Sequence, residues 1–133
     1  MPEEILKFTK IWFLITGFIQ LCFAIAFFFL YDWFFRGIQQ WPFDDQGLAL
    51  LFGGAVLSLS VMNFLVFFKA NRESVKIPLI TIIVFCLTGF GIMLYIQFGL
   101  EGVHAWNWMN TSAYIIMGVG FVVALFRELK QEK

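Results

Sequence analysis

Few side chains in this sequence could act on another molecule, and they fall into two sets. The first is uncharged and embedded in long apolar stretches: Gln20, Ser58, Asn63 and Thr88. An unpaired amide in hydrocarbon costs several kcal/mol, so Gln20 and Asn63 should point inward and bond across helices. The alternative for this set is a polar lining for a small neutral or amphipathic ligand. The second set lies near one membrane surface: Asp44, Asp45, Glu101, His104, Asn107 and Asn110. His104 is the only histidine, so bis-histidine haem ligation has no second ligand. A zinc site would need Glu101 and an aspartate of the preceding loop beside His104. No serine, cysteine or histidine has the spacing of a nucleophile with its base. No glycine-rich phosphate loop follows a strand, because no segment reads as one. No catalytic residue, metal site or cofactor is therefore assigned.

These residues are carried by stretches that dominate the chain. Residues 11–31, 48–68, 77–98 and 105–126 contain no Asp, Glu, Lys or Arg. A helix of ~21 residues rises ~32 Å, which matches a hydrocarbon core of ~30 Å. Of the 133 residues, 61% are hydrophobic and 14% charged, against soluble norms of about 45–50% and 25%. The expected architecture is an all-α integral membrane protein, an up-down four-helix transmembrane bundle forming one domain over residues 1–133. Trp106 and Trp108 mark an interface, so the fourth span begins at 106 or slightly later. Zero formal net charge argues against nucleic acid as a partner. Ala24-Ile25-Ala26 has the form of a signal-peptide cleavage site, but Phe27-Phe28-Phe29-Leu30 follows where polar residues should stand, so the first span is read as uncleaved. Cys22 and Cys86 form no C-x-x-C pair and read as small apolar packing residues.

Charge outside the spans is sorted. Lys7, Lys10, Lys69, Arg72, Lys76, Arg127, Lys130 and Lys133 fall on one side, and only Arg36 falls on the other. The basic side should be cytoplasmic, with both termini inside a cell membrane. The opposite face carries Asp32, Asp44, Asp45 and Glu101. Between spans one and two, Trp33, Phe34, Phe35, Trp41 and Phe43 are mixed with Arg36, Gln39, Gln40, Asp44 and Asp45. That mixture predicts a short interfacial helix ending near Pro42, with a lid over an external site as the alternative.

Small residues indicate where helices meet in lipid, since apolar surface gains little by leaving apolar solvent. Ala49 and Gly53, Gly54 and Ser58, and Gly120 and Ala124 are each four apart, marking the second and fourth spans as the most tightly packed. Gly17, Gly89 and Gly91 allow further close contact. The absence of any membrane carboxylate argues against proton-coupled antiport of the small multidrug-transporter type, since the first span reads Thr16-Gly17-Phe18-Ile19-Gln20.

Trp106-Asn107-Trp108-Met109-Asn110, leading into Gly118-Val119-Gly120-Phe121, resembles the final helix of small bacterial four-helix proteins of the DoxX-like type, and Phe52-Gly53-Gly54 adds to the likeness. The resemblance implies an inner-membrane bundle, in some cases an accessory subunit of a membrane oxidoreductase, and transfers no functional residue. The leading expectation is a small accessory or scaffold component in the lipid bilayer, alone, as a homo-oligomer or in a larger membrane complex. The alternative is a carrier or channel for a small neutral or lipid-like solute.

Overall fold

The computed structural model describes residues 4–40 and 45–131. Helices α1 (Lys7–Phe29), α2 (Gln46–Lys69), α3 (Lys76–Gly99) and α4 (Asn107–Lys130) run up and down in a bundle, and a π-helix spans Tyr31–Ile38. All four long helices are apolar enough to cross a membrane. Their outer surfaces confirm the setting: Leu51, Ile77 and Phe98 are 75–76% exposed, which suits lipid and would be ruinous in water. This is a multi-pass membrane protein. The start of α1, the end of α4 and the Lys69–Lys76 turn lie at one end, called here the basic end, and the π-helix lies at the other, called distal.

At the basic end each helix overruns its charge-free stretch, because charged residues near helix ends can reach the interface while their backbone continues the helix; at the distal end α1 stops two residues short and α4 starts two residues late. Thus α1 starts at Lys7 and α4 runs on to Lys130. Asp45 caps α2, its carboxylate accepting the Leu48 N–H at 3.0 Å. The interfacial helix predicted between the first two spans is present but wound as a π-helix, with the Gln39 N–H donating to the Phe34 carbonyl at 2.9 Å. Its expected end near Pro42, together with Trp41, Phe43 and Asp44, lies outside the described residues.

The helices associate as two hairpins. α1 packs along α2 and α3 along α4, whereas α1 meets α4 and α2 meets α3 at few points. Within the first hairpin the Ser60 hydroxyl donates to the Gly17 carbonyl at 2.8 Å, and a Cβ on Gly53 would stand 2.8 Å from that of Phe27. In the second hairpin the Tyr114 ring covers Gly89. Alanine at Gly89 would therefore collide with that ring. It should destabilise the protein by about 1–3 kcal/mol, read as an earlier midpoint in SDS-titrated unfolding from mixed micelles.

Small residues thus do mark close packing on α2 and α4: Gly53 meets Phe27 of its hairpin partner α1, whereas Gly120 meets Trp12 of α1 across the seam between the hairpins. The Gly54–Ser58 pair lies elsewhere: Gly54 meets open space, and Ser58 is exposed and donates to the Gly54 carbonyl of its own helix at 2.9 Å.

Candidate functional site

The loose seam between the hairpins leaves a cavity of about 50 Å³, enough for a few water-sized groups. All four helices line it. α1 supplies Gln20, Phe23 and Phe27, and α2 supplies Phe52 and Val56. Phe85 and Met93 of α3 face Asn110, Tyr114 and Met117 of α4. Phe35 of the π-helix completes the wall, fully buried and stacked on Phe27 with ring centroids 4.0 Å apart. Ile19, 39% exposed, lines the edge, so the cavity reaches the lipid-facing surface.

Two amide pairs bracket the wall. The Asn63 amide donates to Gln20 Oε1 at 2.7 Å, joining α2 to α1, and both side chains are buried. This single bond leaves Gln20 Nε2 and Asn63 Oδ1 buried without a partner among the described residues. Exchanging oxygen and nitrogen in both amides would still leave one donor and one acceptor unpaired. The second pair is complete on its shared edge. Gln39 and Asn110 exchange reciprocal bonds of 3.2 Å each, tying the residue after the π-helix to α4 across the hairpin seam. Leucine at either position should cost about 1–2 kcal/mol, because the surviving amide loses its partner inside the protein. Leucine at both should recover most of that loss in the same SDS-unfolding measurement, giving a double-mutant coupling of about 1 kcal/mol.

The predicted uncharged set therefore divides. Gln20 and Asn63 meet, whereas Ser58 and Thr88 are exposed on the lipid-facing surface. Ser60, two residues from Ser58, is the buried hydroxyl.

The outer set also divides. Asn107 and Asn110 turn inward, Asn107 donating to Gln97 Oε1 at 3.2 Å. Asp45 caps α2, and Glu101 is exposed in the third connection. His104 Nδ1 accepts the Trp106 N–H at 3.3 Å. Asp44 lies outside the described residues, among which no group of three His, Cys, Asp or Glu side chains comes together.

Gln39 and Glu128 are two of the buried polar residues that sequence reasoning missed. Gln39 was read as part of a wet interfacial segment. Glu128, just past the fourth charge-free stretch, is not singled out by the sequence, yet it is fully buried. Its Oε1 accepts the Leu6 N–H at 2.9 Å, and its Oε2 lies 3.6 Å from Arg72 Nε. The four-residue offset of Glu128 from Ala124, which places both on one helix face, is the only signal that could have found it.

The cavity wall offers amides, a phenol and apolar surface, a chemistry of binding and orientation. Comparison with protein-family models, with curated proteins and with solved structures finds no match.

Proposed function

We propose that this membrane protein binds a neutral, lipid-like solute by its polar end, which enters the cavity between the two hairpins while its chain runs out past Ile19 into the lipid. The observation that carries the reading is Gln20, which lines an otherwise largely apolar cavity and whose Nε2 is buried without a partner among the described residues. A buried polar group without a partner costs free energy that a ligand hydroxyl or carbonyl would recover. Gln20 lies thirteen residues into α1, ~20 Å from its start by helical rise, so the ligand's polar group sits deep in the hydrocarbon. A charged headgroup is disfavoured at that depth, and no Asp, Glu, Lys or Arg lines the cavity. A fatty alcohol has the required chemistry: an apolar body with a neutral group that both donates and accepts.

The test is photocrosslinking with a diazirine-bearing hexadecanol in nanodiscs of the full chain. Labelling should concentrate on peptides containing the α1, α2 and α4 cavity residues, and Gln20→Leu should reduce it several-fold. Uniform labelling of lipid-facing surfaces, unchanged in Gln20→Leu, would reject the reading.

A second reading, an accessory or scaffold component, draws on the interior fastening by Gln20–Asn63 and Gln39–Asn110. The DoxX-like resemblance belongs to this reading. It predicts co-purification of a fixed partner from native membranes at a stoichiometry that cavity substitutions leave unchanged.

The sorted basic residues support placing the basic end in the cytoplasm of a cell membrane. Reporter fusions at both termini should report cytoplasmic; an external signal from either overturns that orientation.

A further inference from the structure

At the basic end, α1 and α4 enclose a surface groove of about 480 Å³, separate from the cavity between the hairpins. Its lining among the described residues is Leu6, Lys7, Phe8, Arg127, Lys130 and Gln131: three cations, one amide, two apolar side chains and no carboxylate. No ion pair engages Lys7, Arg127 or Lys130 among the described residues. Glu128, beside Arg127 in sequence, is turned inward to Arg72 and the Leu6 N–H and does not neutralise the groove. Arg127 is held in place, its guanidinium carbon 5.0 Å above the Phe8 ring. Phe8 in turn stacks on Trp12, which donates from Nε1 to the Met117 carbonyl on α4, so the aromatic floor is fixed to both helices.

Three like charges gathered at the end of two membrane-spanning helices, over an apolar floor, need an anion that is itself amphipathic. We propose that this groove is a binding site for an anionic glycerophospholipid. The phosphate sits among Lys7, Arg127 and Lys130, and the acyl chains continue from Phe8 down the lipid-facing side of α1 and α4. A zwitterionic lipid fits less well, because its ammonium group would enter a groove lined by Lys7, Arg127 and Lys130. A free phosphate would satisfy the charges but leave Leu6 and Phe8 without a partner. The site is independent of the hairpin cavity and stands whether or not that cavity holds a solute.

The experiment is native mass spectrometry of the full chain in micelles doped with phosphatidylglycerol or with phosphatidylcholine. One phosphatidylglycerol per protein should bind in preference to phosphatidylcholine. Each groove cation neutralised to glutamine should weaken binding about fivefold, and Arg127→Gln with Lys130→Gln on the order of thirtyfold. Lys69→Gln, which removes a cation of the same end outside the groove, should leave binding unchanged, and the circular dichroism of each variant verifies its fold. Equal loss in Lys69→Gln, or equal binding of the two lipids, would reduce the effect to general surface charge and overturn the proposal. So would displacement of the lipid by millimolar inorganic phosphate, which would mark a free-anion site.

Discussion

Replacing Glu128 with alanine is expected to destabilise the protein by about 3 kcal/mol, the usual cost of breaking a buried ion pair by removing one partner. The carboxylate is fully buried and joins three segments at the basic end. It accepts the Leu6 N–H from the segment preceding α1, it lies 3.6 Å from Arg72 in the α2–α3 turn, and it belongs to α4 itself. Arg72 adds bonds to the Glu4 carbonyl at 3.4 Å and to Gln131 Oε1 at 3.5 Å, so the clamp crosses the hairpin seam. Alanine removes the acceptor from Leu6 and the counter-charge from a guanidinium that is only 14% exposed. Glutamine keeps an acceptor for Leu6 and loses only the charge, so Glu128→Gln should fall between alanine and the native protein. SDS-titrated unfolding in mixed micelles gives the ranking. Equal midpoints for Glu128→Ala and the exposed Lys69→Gln would show that the clamp carries no weight.

Valine at Gly120 should cost a similar amount, about 3 kcal/mol, at the upper end of ordinary overpacking. The indole of Trp12 lies directly over Gly120, occupying the place any Cβ would take. The ring cannot simply swing aside. Its Nε1 donates to the Met117 carbonyl at 3.3 Å, Phe8 stacks against it with planes 9° apart, and Phe121 meets it edge-on. Because α1 and α4 touch at few points, losing this one separates the hairpins where they are joined most directly. A compensating Trp12→Leu change should recover part of the loss in the Gly120→Val background and reduce stability on its own. Additive effects of the two changes would mean that the contact does not set the hairpin spacing.

The spans themselves were legible because lipid imposes a simple rule: a helix that crosses must be apolar for about twenty residues. Residues 48–68 and 77–98 are extended by only one or two residues at each end, to Gln46–Lys69 and Lys76–Gly99. Rotation about each helix axis was not legible. In a soluble bundle the polar face reveals which residues turn inward, but α2 and α3 are nearly equally apolar all round. Ser58 and Ser60 look equivalent in sequence, yet they lie on opposite sides of α2, one facing lipid and the other bonded to Gly17. Glycine spacing had the same ambiguity, since Gly53 accepts Phe27 whereas Gly54 meets open space. Partners distant in the chain were also hidden. Gln39 and Asn110 are 71 residues apart, and they meet only because the chain leaving the π-helix, which packs on α1, passes α4. The inward turn of Gln20 and Asn63 was readable because an amide within a span has few other ways to avoid hydrocarbon, whereas their choice of each other as partners was not.

The cavity beside Gln20 is the centre of the functional account, and ligand-dependent stability addresses it most directly. A solute that binds only the folded protein raises its unfolding temperature according to concentration and affinity. The measurement compares hexadecanol with hexadecane, at matched concentrations in the same micelles, on the native protein and on Gln20→Leu. The account predicts that the alcohol raises the unfolding temperature of the native protein more than the alkane does, and that the difference disappears in Gln20→Leu. Equal shifts from alcohol and alkane on the native protein, or a difference that survives in Gln20→Leu, would contradict it.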